Sequence, residues 1–86
     1  MTWNYRVIAH EYKDELYFEI HEVYYNDDGV PEMCTVDAVE VAGESLAALS
    51  QTLDWMRKAL REPILNIADF EEGGKYYAKD LFGLQE

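Results

Sequence analysis

The chain has 86 residues, enough for one domain with a modest core and too few for two. Its net charge of −11 argues against the basic surface that phosphate binding requires, so no direct nucleic-acid contact is expected. A hydrophobic share of 49%, with 14% aromatics, excludes intrinsic disorder, and no apolar run reaches the roughly 20 residues of a membrane span.

Residues 3–12, from Trp3 to Tyr12, are rich in aromatic and branched side chains and predict a first strand. Lys13-Asp14 reads as a tight turn into a second strand, 15–26, where Leu16, Phe18 and Ile20 alternate with Tyr17, Glu19 and His21. A two-residue loop pairs Tyr12 with Glu15 and sets Ala9 opposite Phe18 and Val7 opposite Ile20 on one face. On the reverse face it sets His10 opposite Tyr17, Ile8 opposite Glu19 and Arg6 opposite His21. Asn26-Asp27-Asp28-Gly29-Val30-Pro31 is a strong turn signal, and a third strand is expected within 33–41.

Residues 44–62 predict the one long helix, with Ser45 as its N-cap and Pro63 as its stop. Leu46, Leu49, Leu53, Met56 and Leu60 form a single apolar stripe. That stripe is expected to lie on Val7, Ala9, Leu16, Phe18 and Ile20. Ile64-Leu65-Asn66-Ile67 suits a short fourth strand, which alternating directions make parallel to the first. The expected fold is α+β: an antiparallel three-stranded meander, one amphipathic helix and a short fourth strand (β-β-β-α-β), with sheet order 3-2-1-4. Residues 1–68 make the domain. Residues 69–86 read as an acidic C-terminal tail, in which Tyr77, Leu81 and Leu84 allow either a short docked helix over 75–84 or a segment that orders on a partner.

No catalytic motif, phosphate loop or zinc-type spacing is present, so no enzyme activity, cofactor or metal site is expected. His10 and His21 share the reverse face and invite a metal-site reading with Glu19 or Cys34, but four steps of about 3.3 Å place the histidines roughly 13 Å apart, too far to share an ion. Asp27 and Asp28 read as turn residues and not as a calcium loop. Cys34, the single cysteine, reads as a structural thiol that forms no internal disulfide. With no signal-peptide pattern at residues 1–6, a reducing cytoplasm is the expected location.

Two strands, the Asp28-Gly29 hairpin, a third strand, the Gly43-x-Ser45-Leu46 approach to the helix and a short strand after it resemble the HicB-like antitoxin domain over residues 3–68. That domain is a partial ribonuclease-H-like fold, and the layout also resembles short bacterial proteins of uncharacterised role. The resemblance implies binding of a small protein toxin. Residues 69–86 are too short and acidic for the DNA reader of that family, so a repressor role does not carry over.

With one helix, the reverse sheet face is expected to stay open. Arg6, His10, Tyr12, Tyr17, Glu19, His21 and Tyr25, with Asp27 and Asp28 of the turn, are then the candidate interaction surface. Residues 14–44 hold ten Asp or Glu and no Lys or Arg. A protein partner, basic in character, or a second copy forming a homodimer fits that surface. A nucleic-acid mimic that blocks a DNA- or RNA-binding enzyme is the alternative, and a small-ligand binder or an enzyme without a recognisable motif is the third.

Overall fold

A computed structural model of the chain describes residues 2–71 and 76–77. The elements are β1 (Thr2–Tyr12), β2 (Glu15–Tyr25), β3 (Pro31–Cys34), α1 (Leu46–Ala59), β4 (Leu65–Asn66), α2 (Ala68–Glu71) and β5 (Tyr76–Tyr77). The fold is α+β. The sheet runs β4-β1-β2-β3-β5, so the expected order of the first four strands is present, and β5 adds a fifth strand outside β3. It is a mixed sheet, because β4 pairs parallel to β1 and β5 parallel to β3.

The β1–β2 hairpin sets the frame. Its register is the expected one, with Tyr12 opposite Glu15, Ala9 opposite Phe18 and Arg6 opposite His21. Lys13 (φ 52°) and Asp14 (φ 67°) both lie in the left-handed region, which is the backbone of a type I′ turn and matches the twist of the strands it joins. At the next turn, the Asn26 side-chain oxygen accepts from the amides of Asp28 (2.9 Å) and Val30 (3.0 Å), and Gly29 takes φ 76°. The third strand is shorter than the expected 33–41. After Cys34 the Thr35 hydroxyl donates to the Asp37 carbonyl (2.8 Å), which curls the chain. Two backbone bonds, from the Thr35 amide to the Glu22 carbonyl and from the Val39 amide to the Ile20 carbonyl, and side-chain contacts of Thr35 with Glu22 and His21 then hold it beside β2.

α1 begins where Ser45 caps it, its hydroxyl accepting from the Ala48 amide at 3.1 Å. Gly43 allows the chain to pass close by. A Cβ there would strike the Leu49 amide nitrogen and lie 2.8 Å from the Ala48 carbonyl carbon. The expected packing of α1 is corrected. Ala59 is buried and Ala48, Leu49, Thr52 and Met56 are half-buried, so Leu49 and Met56 of the expected stripe face inward while Leu46, Leu53 and Leu60 are exposed. At 100° per residue the helix is rolled by about a quarter turn from the leucine stripe. The cause is aromatic. The Trp55 ring meets Trp3 at 5.9 Å and Tyr5 at 5.7 Å, both edge to face, and these bulky rings anchor the helix over the start of β1.

The main core is consequently on the other face. Ile8, Val23, Cys34 and Phe70 form it, with Tyr25, Leu65 and Ile67 packed against them. Val7 is buried on the α1 side, but Leu16 and Phe18, which were expected beneath the helix, are exposed. Phe70, in the stretch read as tail, is 1% exposed. It reaches the sheet because the Asn66 side chain accepts from the Ala68 amide at 2.9 Å and starts α2 directly after β4. The alternative of a helix over 75–84 lies outside the described residues, except for Tyr76–Tyr77, which form strand β5.

Candidate functional site

The nine residues expected to make an open reverse face do not share one surface. Arg6 and His21 are buried, His10, Glu19 and Tyr25 are half-buried, and Tyr12, Tyr17, Asp27 and Asp28 are exposed. Arg6 is buried because the segment after α1 crosses over it. Its Nη1 donates to the Tyr25 hydroxyl (2.8 Å) and its Nη2 to the Pro63 carbonyl (2.6 Å), while Tyr25 donates to the Asn4 side-chain oxygen (2.6 Å). This is a structural tie between β1 and the chain leading to β4. Asp27 and Asp28 stay in the turn, and Tyr12 lies 5.3 Å beneath the Lys13 ammonium.

His10, Glu19 and His21 are brought together, contrary to the expectation from their strand positions. The two Nε2 atoms lie 2.9 Å apart, and each lies 3.4 Å from Glu19 Oε1. The register is as expected, but backbone spacing ignored the reach of two imidazoles that lean toward each other along the strands. Tyr17 stacks on the His10 ring (centroids 5.1 Å, 13°), and His21 Nδ1 lies 2.9 Å from the Thr35 carbonyl oxygen. Cys34 is fully buried in the core, as a structural thiol would be.

The α1 side carries what the sequence pattern reserves for a core. Leu16 is 64%, Phe18 53%, Leu46 84%, Leu53 48% and Leu60 68% exposed. Leu16 pairs with Glu11 and Phe18 with Ala9 at the turn end of the hairpin, away from the Trp55 anchor on Trp3 and Tyr5. Next to that anchor an open pocket of about 610 Å³ is lined by Trp3, Asn4, Tyr5 and Trp55, with Lys58, Arg61 and Glu62 at its helix wall. On the same face Tyr24 donates to Glu22 Oε1 at 2.7 Å. Burial first, then that hydrogen bond and the Glu22 charge, hold the Tyr24 hydroxyl well above its ordinary value of 10.0. Tyr5 is raised by the same burial and by the charge of Glu22.

Sequence reasoning named both histidines but separated them, and it placed Leu16, Leu46, Leu53 and Leu60 in a core, where the structure leaves them exposed and keeps only Leu49 and Met56 of the stripe half-buried. The one available signal for the roll of α1 was Trp55, which stands off the leucine stripe and is the helix's largest side chain. Among the described residues no helix is long and apolar enough to cross a membrane. The chain matches no protein-family model, no curated protein and no solved structure.

Proposed function

We propose that the protein is a non-catalytic interaction module of the cytoplasm that docks a basic protein on its α1 side. The observation that carries this reading is the exposure of Leu16, Phe18, Leu46, Leu53 and Leu60, large apolar side chains that a monomer of this size ordinarily buries. Charge supplies the partner's sign. The net charge is −11, and the ten carboxylates of residues 14–44, Asp14 and Glu15 beside Leu16 among them, stand without a Lys or Arg between them. The resemblance of residues 3–68 to the HicB-like antitoxin domain, whose members bind a small toxin, points the same way.

The test is titration with a synthetic Lys/Leu amphipathic helix at two salt concentrations. The wild-type chain is expected to bind it and to lose affinity as salt rises. The Leu16→Ser/Phe18→Ser variant, with its hairpin intact by circular dichroism, is expected to bind at least about tenfold more weakly, a loss of about 1.4 kcal/mol. Unchanged affinity in that variant overturns the docking surface. A light-scattering mass of two chains replaces the basic partner with a second copy.

A second reading rests on the pocket beside Trp55. Its aromatic wall and the cations of Lys58 and Arg61 fit an aromatic anion, with Glu62 opposing. Trp3 and Trp55 are the chain's two tryptophans, so quenching of intrinsic fluorescence by such an anion would report directly on that pocket.

A further inference from the structure

The cluster on the opposite side of the sheet has a chemistry that the docking reading does not use. Three donor atoms, Nε2 of His10, Nε2 of His21 and a carboxylate oxygen of Glu19, lie within 4.8 Å of one another. Around a tetrahedral zinc with bonds of about 2.0–2.1 Å, neighbouring ligand atoms stand about 3.3–3.4 Å apart. Both His–Glu distances here are 3.4 Å, and the His–His distance is 2.9 Å. Accepting an ion therefore requires the two rings to part by a few tenths of an ångström and leaves the backbone in place.

The surroundings fix the ligand orientation. The Thr35 carbonyl, 2.9 Å from His21 Nδ1, can only accept, so that nitrogen carries the proton and Nε2 presents its lone pair toward the cluster. A second partner of this kind is the arrangement that holds a metal-bound imidazole in the correct tautomer. In the metal-free state His10 Nε2 then donates to His21 Nε2. Coordination needs that proton to move to His10 Nδ1, the ordinary tautomer exchange of a neutral imidazole. Tyr17, stacked on the His10 ring, keeps its plane fixed through the exchange. The three residues come from the two longest strands, held in register over eleven pairs, so their spacing is set by the stiffest part of the fold. His21 is buried, whereas Glu19 is half-exposed and opens the cluster to solvent.

We propose that His10, Glu19 and His21 form a binding site for a divalent transition-metal ion of the zinc class. Two imidazoles and a carboxylate select zinc, cobalt or nickel over magnesium and calcium, which take oxygen donors. Three protein ligands leave at least one coordination position for water. The net charge of −11 adds a favourable field for any cation at this site. A histidine pair that merely satisfies its own hydrogen bonds in the core makes the opposite prediction, no selective metal affinity.

The experiment titrates zinc chloride into the full, chelator-treated chain by calorimetry and repeats the titration with magnesium chloride. One zinc per chain is expected, with a dissociation constant in the micromolar range or below, a rise in Tm with zinc and none with magnesium. His10→Gln and Glu19→Gln, both at positions with solvent access, are each expected to weaken zinc at least tenfold while the far-UV spectrum is unchanged. Substitution of cobalt is expected to give visible ligand-field bands in the wild type that both variants lose. Absence of binding at a hundred micromolar zinc overturns the proposal, as does affinity that persists in both variants, because the ion then sits on other carboxylates. If His21→Gln fails to fold, the other two variants still decide the matter.

Discussion

The roll of α1 makes a quantitative prediction that separates this packing from the one that its leucine stripe suggests. Leu46 is 84% and Leu60 68% exposed, so folding hides about a sixth of one and a third of the other. Burying a whole leucine side chain contributes about 1.5–3 kcal/mol, so these fractions amount to roughly 0.2–0.5 and 0.5–1 kcal/mol. A change from Leu to Gln adds only a few tenths in helix propensity. The Leu46→Gln/Leu60→Gln variant is therefore expected to lose about 1–2 kcal/mol and to unfold in urea with the wild-type m-value. With the stripe packed on the sheet, each truncation would cost about 2–5 kcal/mol, together most of the stability of a domain this small. A loss above about 3 kcal/mol that does not change with protein concentration would refute the roll. A loss that grows at high concentration would mean that the leucines are buried between two copies.

The reversed core gives the contrasting case: Phe70→Ala, at a side chain 1% exposed, is expected to cost about 3–5 kcal/mol in urea melts, despite lying in a helix of only four residues. In the first hairpin, Asp14→Gly relieves a left-handed non-glycine residue worth about 1–2 kcal/mol, partly offset by about 0.5–1 kcal/mol of added chain entropy. The net gain should raise Tm by a few degrees, and a fall would mean that the Asp14 side chain itself supports the turn. Tyr24 sets an alkaline limit. Its folded value is raised above 10.0, so the folded state holds the proton longer, and stability present below pH 10 is lost as pH rises through the folded value. Glu22→Gln should bring Tyr24 and Tyr5 back toward 10.0, seen as phenolate absorbance appearing at lower pH, and should soften that loss. An unchanged titration would leave burial as the whole cause.

The hairpin was legible because two independent signals agreed. Period-two alternation and a two-residue loop each fix the register, and a slip of one residue would have turned Phe18 and Glu19 to opposite faces. Ser45 was legible because a hydroxyl ahead of an apolar-periodic run has few other roles at that position. Which face holds the core was not legible. β1 and β2 carry branched residues on both sides, Val7 and Ile20 on one, Ile8 and Val23 on the other. The choice rests on Phe70, whose spacing from Ile67 marks one helical turn but is too short a pattern to read alone. The histidine cluster stayed hidden for a different reason. Strand pairing gives the positions of Cα atoms, and His10 and His21 meet only through their rings.

The two proposed sites occupy opposite faces of the same two strands, and this has an energetic consequence. On β2, Glu19 and His21 alternate with Phe18 and Ile20, so the side chains that would hold zinc are interleaved with those that would meet the partner. Zinc would cross-link β1 to β2 midway along the hairpin, next to the turn end that carries Leu16 and Phe18. A partner docking there must order that end, and a bound ion has already removed part of its freedom. The coupling is then positive and, by reciprocity, equal in both directions. We expect the Lys/Leu helix to bind roughly fivefold more tightly with zinc present, about 1 kcal/mol, and amide exchange at residues 9–18 to slow on zinc addition alone. The Glu19→Gln variant should lose this enhancement yet keep the zinc-free affinity for the helix. Equal affinities with and without zinc in the wild type, where both ligands bind, would show that the strands are already rigid and that the two faces act independently.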